Sequence, residues 1–308
     1  MNLNQEIPVA HAHAEHSPST INRLWLGALI LLSLGAIEAV AGLWSNSLAL
    51  LSDAAHMLSD VLALLLAAFA TWLKHRPATM RHSFGLDRSE VLSALLNALF
   101  NIILVIPIIT EAIHRWQNPS PVKPDVVVVV GGLMLLATMS VFWLLSVDKA
   151  SLNVRGALVH LLGDILGSAA AIVSGLVIWM TGWYLIDPIL SIFICLLILG
   201  STYQVLKESI AVLMQGVPKE VDWKEVKESL MSIPGVLGVT HLHIWSLTSG
   251  RLVLTGHLQV ASMVQWENIL QQSYNVLAKK HKIKHITLQP FLEEQTKEDL
   301  QETCYVDK

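Results

Sequence analysis

Cysteine is nearly missing from this chain: there are two in 308 residues, Cys195 inside an apolar run and Cys304 near the end. That excludes a disulfide framework and a multi-cysteine zinc module. Charge is scarce as well, at 14% of residues against 53% hydrophobic ones, where a soluble domain carries about 25% charged residues. With a mean hydropathy of +0.55, this composition excludes an ordinary soluble domain and assigns the chain to a membrane. The net charge of -4, with no dense basic cluster outside Lys279–Lys284, leaves no electrostatic footprint for nucleic acid. No His-Glu-x-x-His, nucleophile elbow, Walker loop or kinase signature occurs. The usual parts of a zinc protease or an ATP-driven pump are therefore missing, and the chain reads as a non-enzyme.

What is abundant is apolar sequence in helix-length runs. Six stretches approach or exceed the ~20 residues that cross hydrocarbon: Leu24–Trp44, Leu48–Leu73, Val91–Ile113, Val126–Val147, Ala157–Trp179 and Ile189–Leu206. Trp25, Trp44, Trp72, Trp116, Trp179 and Trp183 fall at span ends, where amphipathic rings favour the headgroup level. An even number of spans puts both termini on one side. Arg23, Lys74, Arg76, Arg81, Arg88, Lys149 and Arg155 share that side and only Arg115 and Lys123 lie opposite, so both termini are predicted to be cytoplasmic. The polar start shows no signal-peptide pattern. Its His11, His13 and His16 resemble a weak metal-collecting arm.

Beyond the last span the sequence turns soluble. Val221–Ile233 has helical spacing and stops at Pro234-Gly235; Val236–Leu247 and Arg251–Val260 alternate like strands about Ser249-Gly250; Val264–His281 is helical again and Ile283–Phe291 is a short strand. The expected division is an arm at 1–22, spans over 23–208, a linker at 209–218, an α+β domain at 219–292 and a flexible tail at 293–308.

Ionisable groups inside hydrocarbon are costly and mark function. Here they are patterned: His56 and Asp60 in the second span, His160 and Asp164 in the fifth, the same His-x-x-x-Asp interval in HMLSD and HLLGD. An i, i+4 interval puts each pair on one helix face, so two facing helices can close a tetrahedral set of two nitrogens and two oxygens around one ion. That donor set suits zinc, whereas an all-oxygen set suits magnesium, calcium or manganese. The alternative, that each pair is a packing device, weakens when the pair occurs twice. Asp53 lies one turn before His56 and reads either as an ion guide or as a helix-start or packing residue. Glu111 is expected to pair with Arg115 at i, i+4, and Glu38 to serve a structural hydrogen bond.

In chain order, SLALLSDAAHMLSD, RHSFGLDRSEVLSAL, RGALVHLLGD, IDPILS, LMQGVP and VTHLHIWSLTSG resemble the cation diffusion facilitator family in its zinc-transporting branch, across about residues 26–291. The resemblance implies that His56, Asp60, His160 and Asp164 form the transport site. It also implies a homodimer, a metallochaperone-like cytoplasmic domain and exchange of cytoplasmic zinc for protons. Leu86 stands where the family often has a histidine after HSFG, and His75 and His82 lie among arginines, so that loop reads as membrane-surface contact. In the tail, His241 and His243 alternate along one strand, His257 lies on the next and His285 on the last. The resemblance makes His241, His257 and His285 the candidates for a second, regulatory zinc site, although Leu288 and Pro290 stand where other members add ligands; surface histidines on a small sheet are the alternative.

The expectation is thus an α-helical membrane protein with six transmembrane helices followed by a small cytoplasmic α-β-β-α-β domain. Its expected role is to export divalent cations, zinc foremost, from a bacterial inner membrane, with protons as counter-ion and no organic cofactor. The rivals are a membrane-anchored metal sensor, a cation channel, and a transporter mainly for cadmium, cobalt or nickel.

Overall fold

The computed structural model describes the backbone of residues 18–146, 152–248 and 250–292, with side chains described outside 18–28, 30, 144–146 and 152–160. His11, His13, His16 and the tail from 293 lie outside the described residues. The apolar runs become the helices α1 (Pro18–Ser45), α2 (Leu48–Lys74), α3 (Ser89–Gln117), α4 (Pro124–Ser146), α5 (Leu152–Thr181) and α6 (Ile186–Leu213). Five of them carry segments long and apolar enough to cross a membrane: Leu48–Lys74, Ser89–Gln117, Pro124–Trp143, Leu161–Thr181 and Ile186–Leu213; the described apolar part of α1, Leu31–Ser45, is shorter. Side chains such as Leu43, Ile103, Leu136, Leu196 and Trp179 point outward, as expected where the solvent is hydrocarbon. Helix α6 continues to Leu213, so the segment expected as a linker at 209–218 is helical over its first half.

The chain divides into two compact units, Met1–Leu64 with Ile108–Ile194, and Leu65–Pro107 with Cys195–Lys308. In the first unit the start of α2 is held by a carboxylate from another helix. Asp187, at the head of α6 and fully buried, accepts from Ser47 Oγ at 2.6 Å, Leu48 N at 2.6 Å, Ala49 N at 3.4 Å and Ser174 Oγ at 3.1 Å. The first backbone N–H groups of a helix have no partner within it, and an anion there also opposes the helix dipole favourably. One side chain thereby joins α2, α5 and α6. The preceding turn uses Asn46 at φ 60°, and Arg115 reaches across from α3 to donate to the Asn46 backbone oxygen and Oδ1 at 2.6 and 2.7 Å. Arg115 Nε also donates to Glu111 at 2.9 Å, the pair expected from the sequence. Helices α4 and α5 pack closely where Gly175 meets α4: a Cβ there would lie 2.8 Å from Val128 and 3.2 Å from the Pro124 carbonyl. Small residues allow such approach between helices in a membrane.

The second unit contains the soluble domain: α7 (Trp223–Met231), β1 (Val236–Thr248), β2 (Arg251–Val260), α8 (Trp266–Lys280) after a short 3-10 turn, and β3 (His285–Phe291). The order helix, strand, strand, helix, strand is the one expected. Asp222 caps α7 through Lys224 N and Glu225 N. The sheet runs β1-β2-β3, with β1 and β2 antiparallel and β2 and β3 parallel, the parallel pair needing the α8 crossover. Val226, Leu230, Ile244, Leu254, Leu258, Ile269 and Leu277 form its core. At the hairpin end, Arg251 pairs with Asp87 and Thr248 donates to Glu90, beside the start of α3.

Replacing Asp187 with Ala leaves two backbone N–H groups and two hydroxyls of the first unit without their acceptor. We expect a loss of about 2–3 kcal/mol, read as a lower Tm of the detergent-solubilised protein, with Asp187→Asn intermediate.

Candidate metal centre

The His-x-x-x-Asp pairs lie on α2 and α5, and α-helical periodicity sets each pair one turn apart. The structure brings His56, Asp60 and Asp164 together: one potential ligand atom from each lies within 4.8 Å of the others. His56 Nε2 is 3.4 Å from Asp164 Oδ1, and the two side chains are 15% and 16% exposed. The cluster is therefore shielded yet reachable by an ion. His160 lies one turn before Asp164 on α5; its side chain falls outside the described residues. Two carboxylates and an imidazole within this distance form an anionic, cation-sized centre, whose oxygens and nitrogen match zinc chemistry.

Around this cluster lie Asp53, which the sequence left open between ion guide and helix-start or packing residue, and Glu38, expected to make a structural hydrogen bond. Asp53, on the α2 turn before His56, is 2% exposed and accepts from Ser168 Oγ on α5 at 2.8 Å. Glu38 on α1 is fully buried beside Asp53. The partner for the structural hydrogen bond expected of Glu38 is the Asp53 carboxyl group beside it.

In the soluble domain, His241, His243 and His257 line a shallow cavity with Thr255, Thr287 and Gln289, and the rings of His241 and His257 stand 5.0 Å apart. The expected alternation along β1 is broken. Thr240 pairs with His257 and His243 with Thr255, leaving an extra residue in a β-bulge where His241 takes φ 49°. The bulge carries His241 towards His257 without displacing the buried Val239 and Leu242. His285 does not join them. It pairs in register with Val253, whereas His257 faces Gln289, about 13 Å further along the strand, and its ring meets Phe84 edge-on at 5.7 Å. His243, not His285, is the third histidine of the cavity. Partial burial, then the nearby His241 and His243, hold His257 below the usual histidine value.

Fold and cluster together define a polytopic helical membrane protein with a polar, cation-sized centre between two of its helices and an appended α-β-β-α-β domain. Comparison with known proteins narrows the class. The cation efflux transmembrane domain matches residues 24–214, and the cytoplasmic domain of cation efflux proteins matches residues 218–290. The chain is 39% identical to the zinc transporter ZitB of Escherichia coli over 91% of its own length and 92% of that protein's. It is 36% identical to the cadmium, cobalt and zinc/H(+)-K(+) antiporter of Bacillus subtilis, covering 91% of each chain. It is 39% identical to the metal cation efflux system protein CzcD of Cupriavidus metallidurans over 82% of this chain and 80% of that one. The protein belongs to the cation efflux family, the cation diffusion facilitators that its motifs resemble.

Because the folded value of His257 is depressed, the unfolded chain takes up its proton first. The contribution of His257 to stability is full above the unfolded value of about 6.5 and is lost as pH falls through the folded value. Thermal unfolding of metal-free protein between pH 7.5 and 5.5 is expected to show this loss, and His257→Gln to reduce it.

Proposed function

We propose that this protein exports zinc from the cytoplasm in exchange for protons, through a site formed by His56, Asp60, His160 and Asp164. The observation that carries this reading is the meeting of His56 and Asp60 on α2 with Asp164 on α5 inside apolar helices, where isolated charges are costly. The E. coli relative named as a zinc transporter and the B. subtilis relative named as a proton-coupled antiporter for cadmium, cobalt and zinc support it.

The chemistry follows from the ligands. Zinc binds neutral imidazole and ionised carboxylate, so protons compete with the metal for the same atoms. Imidazole brings that competition near neutral pH. A state open to the cytoplasm captures zinc on deprotonated ligands. A state open to the opposite, more acidic side protonates them and expels the ion, and the protonated site returns. Binding is thereby linked to a proton gradient without ATP and without an organic cofactor or covalent catalysis.

The remaining parts fit this role. In this reading both termini lie in the cytoplasm of a bacterium, with the spans over 23–208 in the inner membrane and the domain at 219–292 pairing two copies into a homodimer. His241 and His257, with His243, form the regulatory zinc site of that domain. The imidazoles favour zinc and its borderline neighbours over harder ions such as magnesium and calcium.

In reconstituted vesicles, zinc uptake is expected to follow an imposed pH gradient and to fall by about 10- to 100-fold or more in Asp164→Ala, since even supporting residues of metal sites reach that range. Uptake that ignores both the gradient and the substitution would overturn the reading. Exchanging His56→Asp is expected to narrow the preference for zinc over cadmium; an unchanged ratio would contradict the assigned role of the imidazole.

A further inference from the structure

A proton or metal site requires its ligands at fixed spacing, and the two helices that carry them here are joined one turn away. On α2, Asp53 precedes His56 by one turn. On α5, Gly167 and Ser168 follow Asp164 by one turn. The helices therefore run past each other with the Asp53–Ser168 contact at 2.8 Å stacked directly on the His56–Asp164 contact at 3.4 Å. The carboxylate of Asp53 reaches α5 only because residue 167 has no side chain: a Cβ on Gly167 would lie 2.5 Å from Asp53 Oδ1 and 3.2 Å from its Cγ. Ser168 is 2% exposed and Asp53 likewise, so this hydrogen bond has no competition from water and is stronger than an exposed one. Glu38 of α1 backs the same carboxylate.

We propose that Asp53, Gly167 and Ser168 form a clamp that sets the spacing of the two ligand-bearing helices and, through it, which divalent cation the centre accepts. The inference rests on the transport site proposed above and adds residues that do not themselves touch the ion. Asp53, Gly167 and Ser168 are positioning residues. An acceptor at position 53, not its charge, is what the clamp needs. An interhelical separation fixed on one side of a site discriminates between ions of different radius, because a site that widens loses the smaller ion's coordination before the larger one's. The notch at Gly167 also explains why Asp53 is a better clamp than an ion guide: its Oδ2 is occupied by Ser168 and its Oδ1 is turned into the α5 backbone.

The test uses full-length protein in proteoliposomes and measures initial uptake of zinc and of cadmium separately under one pH gradient, so that KM and maximal rate are both read. Asp60→Ala serves as the control for the transport site. Ser168→Ala and Gly167→Ala are expected to raise the zinc KM about 3- to 30-fold, in line with the lower half of the range for residues that orient metal ligands, and to shift the zinc-to-cadmium ratio towards cadmium. Asp53→Asn is expected to keep the wild-type ratio, since Asn Oδ1 still accepts from Ser168 and its amide can donate to Glu38. If Gly167→Ala does not fold, Ser168→Ala and Asp53→Asn carry the comparison. Loss of zinc uptake in Asp60→Ala together with a wild-type ratio in Ser168→Ala would overturn the clamp and leave the transport site standing. Loss of transport in Asp53→Asn with normal Ser168→Ala would also overturn it, by showing that Asp53 acts through its charge. Uptake untouched by Asp60→Ala would overturn both.

Discussion

A carboxylate placed between apolar helices must be met by donors, by a cation or by a proton, because hydrocarbon offers it nothing. The membrane part of this protein is organised by that constraint. Asp187 is met entirely by protein donors, two hydroxyls and two helix-start amides. Asp53 is met by one hydroxyl across a glycine notch. Asp60 and Asp164 are gathered with His56, one potential ligand atom from each within 4.8 Å of the others, and in the proposed function a cation is what this group receives. The series passes from structural anchor to proposed clamp to proposed site along the stretch of α2 from Leu48 to Asp60. The same charge does different work according to which groups surround it.

That gradation bears on how one helix pair can be both rigid and responsive. Zinc affinity needs ligands held within a fraction of an ångström, while release needs protons to reach them. The anchor at Asp187 fixes where α2 begins, and the notch at Gly167 fixes how close α5 lies to it. One turn beyond the notch the side chains of His56 and Asp164 remain 15–16% exposed, so the proposed site is reachable without loosening the frame. The soluble domain uses a similar economy: the bulge between Thr240 and His243 in β1 turns His241 towards His257 while the core on the other face of the sheet stays intact.

Much of this was legible in the residues. Hydropathy over windows of helix length located the apolar helices, because in lipid a chain has few other ways to satisfy its backbone. The repeated His-x-x-x-Asp interval announced itself because 3.6 residues per turn puts i and i+4 on one face. The α-β-β-α-β order followed from the change of period from 3.6 to 2. What stayed hidden were pairings between segments far apart in the chain. Asp187 reads as the start of its own helix, yet three of its four partners lie some 140 residues earlier. Nothing local in Ser168 or Gly167 signals Asp53. Strict alternation on β1 hid the bulge at His241, and histidine content alone grouped His285 with residues from which strand register separates it.

The central claim is that one zinc ion sits between α2 and α5 on nitrogen and oxygen donors alone. Zinc-edge X-ray absorption tests it most directly, on full-length protein loaded with one equivalent of zinc after His241 and His257 are replaced by Ala to silence the soluble-domain site. The account predicts a four-coordinate first shell of light donors near 2.0–2.1 Å with imidazole outer-shell scattering that disappears in His56→Ala, His160→Ala double replacement. A sulfur shell, or a six-oxygen shell unchanged by those replacements, would contradict it.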